Sequence, residues 1–523
     1  MLYAVSGSTY TVVDTVGFGS QERGVSEGRL PDGAVDIVAF PGSPTPGESN
    51  YRLLTHVVIN EVLAHTDPPL EDAIELENLS AMPVDLSGWF LSNSRVQRRK
   101  YHLPAGTVLP ARGFRVIYES QFNDGTTNAF TLNAAHGDEV WLSAATNGVE
   151  TGERTGVAFG ASFNGVSFGR VPTSQGFDFA PLLRRTFGVD APTSLEAFRT
   201  GTGLPNAGPV IGPVVISEIH YNPPAGQAAF VELCNITSQT VPLYDPAFPS
   251  NQWQLGGGVA FSLPAGCSLP PGGCLVVVDF DPAGDPAALD AFRARYGLSA
   301  DAVVLGPLTG KLANDADTVE LYRPDIPQLP PHPDAGFVPY VLADWVSYTD
   351  APPWPSGAVD GGGLSLQRLL PTLYGNDPIN WGAAVPSPTA VNQLPLPDTD
   401  ADGIPDAVEF HVGLDLNNPQ DAAQDADGDG ASNLHEYRAG TDPRDPGSAL
   451  RLATIALGGS TVLTFQAMPG RSYSVLYADA PTGAPWRRLA DVPAAPAARQ
   501  ETVVDPDTRA TRFYRLVTPA LAP

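Results

Sequence analysis

Two short stretches of alternating aspartates carry the clearest chemistry in this sequence. One begins at Asp398 and the other at Asp425, and both satisfy the twelve-residue pattern D-x-[DN]-x-[DN]-G-x5-E at every specified position. Acidic side chains at this spacing project inward from a curled loop, the glycine permits the bend, and the last glutamate closes the ring from a following helix. This number of hard oxygen donors favours calcium over magnesium. The sequence therefore predicts two calcium ions, one in each loop.

The predicted ligands occupy positions 1, 3, 5, 7, 9 and 12 of each loop. In the first loop they are Asp398, Asp400, Asp402, the Ile404 carbonyl, Asp406 and Glu409. In the second they are Asp425, Asp427, Asp429, the Ala431 carbonyl, Asn433 and Glu436. Asp415 and Asp442, which follow the loops, are candidate auxiliary ligands.

Each loop needs a helix after it to bring in the final glutamate. Residues 407–412 and 434–439 have the spacing of short helices, and Gly413 and Gly440 would end them. The alternative is a disordered acidic linker, since thirteen acidic and two basic residues lie between positions 398 and 445. A linker explains neither the glycine at position 6 of both loops nor the apolar residues after each loop.

Composition places these loops in a large protein rich in turns. The 523 residues exceed the size of a single core, so roughly three to five domains are expected. With 53 Gly and 53 Pro, short strands are favoured over long helices. A net charge of -28 argues against nucleic acid as a partner, and no apolar run is long enough to span a membrane.

The three cysteines allow at most one disulfide. Cys267 and Cys274 flank a Leu-Pro-Pro-Gly-Gly turn and, as facing residues of a hairpin, could bond in an oxidising compartment. Cys234 would then be a small core residue.

The chain contains an internal repeat. Residues 57–62 and 74–80 recur as 214–219 and 231–237, 157 positions later, and Trp89 corresponds to Trp253. In both copies a Leu-Pro turn and a glycine lead into an apolar run, residues 114–118 and 274–278, which predicts a hairpin. A closing block, Gly-Val-Ser-x-Gly-Arg in the first copy, lies at 165–172 and 363–371 and also at 24–31. We therefore expect residues 1–50 to be the end of a further copy whose front, with an export signal, lay upstream.

The repeated blocks resemble the lamin-tail domain, an immunoglobulin-like β-sandwich. The resemblance covers residues 57–206 and 213–393 in full and 1–50 in part, and the second copy adds a helical insertion at 286–298. The predicted fold class is mainly β, with tandem immunoglobulin-like sandwiches and a small calcium-binding loop-helix segment. Membership would imply a scaffold, adhesion or recruitment role and supplies no catalytic residue.

The remaining segments have resemblances of their own. Residues 398–446, with Gly-Leu-Asp and Gly-Thr-Asp-Pro after the loops, resemble thrombospondin type 3 and dockerin-like (EF-hand-like) repeats of bacterial exoproteins. Residues 448–523 alternate as strands, at 461–466, 473–477 and 512–517, and resemble C-terminal fibronectin-like sandwiches.

Recurring glutamates raise the question of catalysis. Glu61, Glu75, Glu218 and Glu232 could form the carboxylate pairs of a glycoside hydrolase. Their alternation with apolar neighbours instead predicts solvent-facing strand residues, and their repetition points to architecture. Trp345, Trp354 and Trp381 could form a sugar-stacking surface, although core packing is favoured.

These patterns predict an extracellular or cell-surface, calcium-binding structural or adhesion protein, without enzymatic activity, whose partners are extracellular proteins or polysaccharide. Two alternatives remain. The chain could be the accessory C-terminal region of a secreted enzyme of the CotH-kinase, nuclease or phosphatase kind, with its catalytic domain upstream. It could also be an array of carbohydrate-binding modules.

Overall fold

The computed structural model describes residues 1–6, 8–390, 392, 394–457, 460–468, 470–495, 498–507 and 511–521, with the backbone alone at 454–457. The chain divides into two units, residues 1–172 with 177–210, and residues 173–176 with 211–523. The predicted fold class, mainly β with immunoglobulin-like sandwiches, is confirmed. Val391, Gln393 and Pro523, which belong to predicted blocks or domain ends, lie outside the described residues.

The first unit contains a sandwich of two five-stranded sheets. One sheet has the order Phe114–Tyr118, Ala73–Asn78, Val57–Leu63, Phe168–Thr173 and Gly176–Pro181. The other has the order Tyr101–His102, Phe90–Ser92, Asp138–Thr146, Val149–Phe159 and Arg52–Leu53. Apolar side chains from both sheets, such as Ile59, Leu76 and Leu142, are buried between them. Shorter elements complete the unit: Val84–Asp85 with Val108–Leu109, hairpins Leu2–Ser6/Thr9–Asp14 and Val25–Arg29/Ile37–Pro41, and helices α1 (Glu119–Phe122) and α2 (Leu195–Phe198).

The second unit begins with a sandwich of similar design. Its first sheet has the order Val303–Leu305, Cys274–Val278, Phe230–Asn235, Val214–His220, Ser365–Arg368 and Trp381–Ala384. Its second has the order Thr309–Gly310, Val259–Ser262, Gln254–Gly257, Ala316–Pro324 and Tyr340–Thr349, and Val241–Pro242 pairs with Ser268–Leu269. Trp354 and Trp381 pack in the core, which was the favoured prediction for these tryptophans. Trp345 is half-buried, and its indole N–H donates to the Tyr374 hydroxyl.

The helical insertion of the second copy is confirmed as α3 (Pro286–Tyr296). Asp285 caps its first turn, and Gly297 ends it with the left-handed backbone that glycine adopts without strain. Phe292 is 4% exposed and packs with Phe230.

Corresponding strands occupy corresponding places in the two sandwiches. The closing block is a strand that pairs with the glutamate-bearing strand in each, Phe168–Thr173 with Val57–Leu63 and Ser365–Arg368 with Val214–His220. An asparagine amide donates to the carbonyl of the block's arginine in all three blocks, Asn50 to Arg29, Asn206 to Arg170 and Asn392 to Arg368, at 3.0, 3.0 and 3.1 Å. The sequence recurrence thus has a shared physical function, which is to fasten the last segment to the sheet.

The prediction that the recurring glutamates face solvent is wrong. Glu61, Glu75, Glu218 and Glu232 are each 0% exposed. Glu61 lies opposite Glu75, and Glu218 opposite Glu232, across the central strand pair. The segments that close each sandwich cover this face and donate to the carboxylates, Ser167 and Thr186 to Glu61 and Ser365 and Ser387 to Glu218. Alternation distinguishes the two faces of a strand but not a solvated face from one that polar segments cover.

The predicted hairpin before residues 114–118 and 274–278 is also wrong. Phe114–Tyr118 pairs with Ala73–Asn78, and Cys274–Val278 pairs with Phe230–Asn235. The short strands before each turn pair elsewhere. Cys274 consequently faces Cys234 rather than Cys267, and the disulfide joins Cys234 to Cys274 while Cys267 is free.

The chain continues through α4 (Asp406–Val412), a 3-10 turn at Asp421–Ala423 and α5 (Asn433–Ala439) into a small C-terminal sandwich. One of its sheets has the order Ala453–Leu457, Ser460–Ala467, Arg499–Asp505, and the other Arg487–Val492, Tyr473–Ala478, Phe513–Val517. The three predicted strands and both predicted loop-following helices are confirmed within one or two residues. Among the residues described, no helix has the length and apolar character needed to cross a membrane.

Candidate metal centres

Both acidic loops fold through the same hydrogen bonds. In the first, the N–H groups of Gly403 and Ile404 donate to Asp398 and Asp402 at 3.1 and 2.8 Å. In the second, the N–H groups of Gly430 and Ala431 donate to Asp425 and Asp429 at 2.9 and 2.8 Å. Gly403 and Gly430 have φ values of 97° and 99°, which a side chain would oppose. The residues at positions 6 and 7 therefore orient the carboxylates at positions 1 and 5. Asp425 differs from Asp398 in that its second oxygen also accepts from a backbone N–H, that of Gly428, at 2.7 Å.

Carboxylate oxygens at positions 1, 3 and 5 converge in each loop. One oxygen from each of Asp398, Asp400 and Asp402 lies within 4.8 Å of the other two, and the same holds for Asp425, Asp427 and Asp429. Nine buried carboxylate oxygens of the segment have no hydrogen-bond partner among the described residues: Asp398 Oδ1, Asp400 Oδ2, Asp402 Oδ2, both Oε of Glu409, Asp421 Oδ1, Asp427 Oδ2, Asp429 Oδ2 and Glu436 Oε2. Buried carboxylates in this number are costly unless a bound cation or a proton neutralises them. The donor set fits a hard divalent ion in each loop.

The position-12 glutamates are supplied by the helices, as predicted. Glu409 on α4 and Glu436 on α5 are 0% and 1% exposed. Gly413 and Gly440 both take left-handed backbone and end their helices by donating to the carbonyls of these glutamates. Burial, with the nearby charges of Asp400 and Asp402, raises the pKa of Glu409 to about 8. Burial likewise raises the pKa of Glu436 to about 7.

The side chains at position 9 of each loop, Asp406 and Asn433, accept hydrogen bonds that close the loop. Both oxygens of Asp406 accept from Thr399, from its N–H and its hydroxyl, at 2.7 Å each. Asn433 Oδ1 accepts from the Ala426 N–H at 3.2 Å. The structure therefore does not bring Asp406 and Asn433 into the converging groups. A contact with an ion through water, which this position often makes, is compatible with the arrangement.

Asp421 is a site residue that sequence reasoning missed. It lies in the 3-10 turn between the loops and is 6% exposed, and one of its oxygens is within 4.8 Å of oxygens from Asp402 and Glu409. Its other oxygen accepts from the Asp415 N–H at 2.9 Å. No motif position marks Asp421, and the sequence shows only an acidic residue between the two loops.

The two loops are physically linked. The Asn433 amide of the second loop donates to the Asp421 carbonyl beside the first at 2.8 Å. Arg444, which follows the second loop, donates to the Val412 carbonyl at 2.6 Å and so caps the C-terminus of α4. The candidate auxiliary ligands form turns instead: Asp415 accepts from Asn417 N–H and Asp442 from Arg444 N–H.

The segment also contacts the C-terminal sandwich. Arg471 donates to the Tyr437 carbonyl of α5 at 2.8 Å, and the Tyr473 hydroxyl lies 3.5 Å from the Ala439 carbonyl. Arg451, at the entry to the sandwich, lies 3.7 Å from Asp429. The second loop is thus fixed on both sides by contacts within the second unit.

Comparison with known proteins shows a family similarity for part of the first unit. Neither the curated proteins nor the solved structures contain a significant match to the chain. Residues 54–156, which include eight complete strands of the first unit, match the family model of the Lamin Tail Domain, an immunoglobulin-like fold.

Proposed function

We propose that this chain is an extracellular or cell-surface structural protein, acting in adhesion or assembly, that holds two calcium ions and performs no catalysis of its own. Lamin-tail-like sandwiches at 57–206 and 213–393 would be followed by a calcium-stiffened spacer at 398–446 and a C-terminal sandwich at 448–523. Its partners would be extracellular proteins or polysaccharide.

The observation that carries the proposal is the set of buried carboxylate oxygens, in and between the two loops, that lack a hydrogen-bond partner among the described residues. Asp398, Asp400, Asp402, Glu409 and Asp421 would hold the first ion. Asp425, Asp427, Asp429 and Glu436 would hold the second, with the Ile404 and Ala431 carbonyls at position 7. Six to eight oxygens from a flexible loop suit calcium, whereas magnesium prefers a smaller octahedral shell and keeps its water.

A structural role for the ions follows from what surrounds them. The loops connect through Asn433 and Asp421, and Arg471 fixes α5 to the C-terminal sandwich. Without a cation, the carboxylates repel one another and favour an open segment. Calcium would neutralise this repulsion, so that the segment becomes a rigid connection.

The buried glutamates support a scaffold rather than a hydrolase. A glycosidase needs both carboxyl groups in contact with substrate. Glu61, Glu75, Glu218 and Glu232 are fully buried and engaged by side chains of their own sandwich, so substrate cannot reach them.

Limited proteolysis of the full chain, with calcium or with chelator, tests the proposal. We expect chelator to expose cleavage sites between residues 398 and 445 and calcium to protect them. The double variant Glu409→Gln/Glu436→Gln, which changes the glutamates that the loop pattern requires at position 12, should be cut in calcium as the parent is cut in chelator. Asp445→Asn, which removes an exposed charge outside both loops, is the matched control. Identical cleavage of the parent under both conditions would refute a stiffening role for the ions.

A further inference from the structure

The first sandwich carries a dense positive cluster on an acidic protein. Arg95, Arg98, Arg99 and Lys100 lie within six positions, although the whole chain has only 29 basic residues against 57 acidic ones. They occupy the loop between strands Phe90–Ser92 and Tyr101–His102. The matching strands of the second sandwich, Gln254–Gly257 and Val259–Ser262, are joined by a single residue, Gly258. The positive loop is therefore an addition to the sandwich that its fold does not require.

The loop is held in shape by hydrogen bonds. Ser92 Oγ donates to the Gln97 carbonyl at 2.6 Å, and the Gln97 N–H donates to Ser94 Oγ at 3.0 Å. The Arg95 N–H donates to Glu139 at 2.8 Å. A loop fixed in this way presents its charges without a large loss of conformational entropy on binding.

A cavity of about 500 Å3 opens beside this loop. Its lining includes three cations, Arg98, Arg99 and Lys100, and one carboxylate, Glu150. Both arginines contact Glu150, each at 3.1 Å, so a single negative charge is shared between them. Lys100 contacts the neutral amide oxygen of Asn93. The cavity is thus positive overall, and its walls favour an anionic ligand.

The other lining groups indicate what kind of anion fits. Gln97, Thr127 and Asn128 supply amide and hydroxyl groups, which match the hydroxyls of a sugar. None of the described residues that line the cavity is aromatic. The rings of Phe90 and Phe130 lie under Arg99 and Lys100, each 5.8 Å from the cation. Proteins that bind single-stranded nucleic acid usually present exposed rings on which the bases stack, so this lining favours an anionic sugar over a nucleic acid strand.

We propose that this cavity binds an acidic polysaccharide, with a carboxylate or sulfate of one sugar unit on Arg98, Arg99 and Lys100 and the sugar hydroxyls on Gln97, Thr127 and Asn128. This inference specifies the polysaccharide partner of the proposed function and rests on that function. In the part of the chain that the structure describes, none of the residues that line the cavity belongs to the acidic loops, so a test with chelator present separates this site from calcium binding. A ligand anion would compete with Glu150 for the two arginines.

Binding of the full chain to polygalacturonate and heparin, measured by calorimetry at low salt with chelator present, tests this site. Neutral dextran and a single-stranded oligothymidine are the comparison ligands. Arg99→Gln/Lys100→Gln should weaken binding of the acidic polysaccharides about ten-fold. Arg52→Gln/Arg184→Gln, which removes two exposed charges, one of them at the opposite edge of the sheet, should leave binding unchanged.

Glu150→Gln gives a result that damage to the fold cannot imitate. Because it frees both arginines, it should tighten polysaccharide binding several-fold. Absence of binding to both acidic polysaccharides, equal loss in the control variant, or weaker binding by Glu150→Gln would overturn the proposal. Tighter binding of the oligothymidine than of either polysaccharide would overturn the assigned partner.

Discussion

Replacing the buried Glu75 by glutamine should reduce the loss of stability that the first sandwich undergoes as pH rises from 5 to 8. Glu75 is 0% exposed and lies opposite Glu61. Its Oε1 accepts from the Asn60 amide at 2.7 Å, whereas its Oε2 is buried without a hydrogen-bond partner among the described residues. Burial, with the charge of Glu61, raises the pKa of Glu75 to about 9. The folded protein therefore holds a proton here at neutral pH.

The magnitude follows from proton linkage. In the unfolded chain this carboxyl ionises with the ordinary glutamate pKa of 4.5, whereas in the folded chain it stays protonated up to about 9. A raised folded-state pKa stabilises at low pH, and the contribution is lost as pH rises toward the folded value. Between pH 5 and pH 8 this single group should reduce the free energy of unfolding by about 4 kcal/mol. Glutamine cannot ionise and has nearly the same volume, so the variant should lack this component.

Hydrogen exchange of strands Val57–Leu63 and Ala73–Asn78 measures the effect locally, which avoids treating a multidomain chain as two-state. After correction for intrinsic exchange rates, the parent should lose protection from pH 5 to pH 8, and Glu75→Gln should lose much less. Glu153→Gln, an exposed strand glutamate in the same sandwich, is the control. An equal pH dependence in the parent and Glu75→Gln would refute the conclusion that the buried carboxyl is protonated.

Two further predictions concern other buried charges. Asp421→Asn should weaken calcium binding at the first loop about ten-fold or more, because one oxygen donor loses its charge. Asp415→Asn is the control and should have little effect. Calcium titration of both variants measures the difference. Arg368→Met should destabilise the second sandwich by about 3–5 kcal/mol, measured by hydrogen exchange of strands Val214–His220 and Ser365–Arg368, because the Asp344 carboxylate, 2.6 Å from Arg368, would remain buried without its cation. Combining Arg368→Met with Asp344→Leu should recover much of that loss, and no recovery would contradict the charge-pair explanation.

The recurring blocks predicted more of the fold than any single motif. Apolar alternation located the central strands, and Gly413 and Gly440 located the helix ends, because these signals are local. The pairing of those strands depends on which distant segment covers each face. For this reason three predictions were wrong: that Glu61 faces solvent, that Cys274 faces Cys267, and that each apolar run forms a hairpin.

In the candidate metal centres, the loop pattern identified most of the carboxylates that converge. It did not distinguish residues that face the ion from residues that close the loop through hydrogen bonds. Asp406 satisfies the motif yet closes the loop through Thr399, and Asp421 satisfies no motif yet converges with Asp402 and Glu409. A spacing rule counts positions within one loop. It therefore cannot include a residue that the following turn folds back onto the site.

The structural role proposed for this segment requires that two calcium ions bind within residues 398–445. Calorimetric titration of the chelator-treated full chain with calcium should give a stoichiometry of two, falling to one in either Glu409→Gln or Glu436→Gln and to none in the double variant, because the loop pattern requires a glutamate at position 12. Magnesium should bind much more weakly. A parent chain that takes up no calcium at millimolar concentration, or a stoichiometry that neither variant changes, would contradict this role.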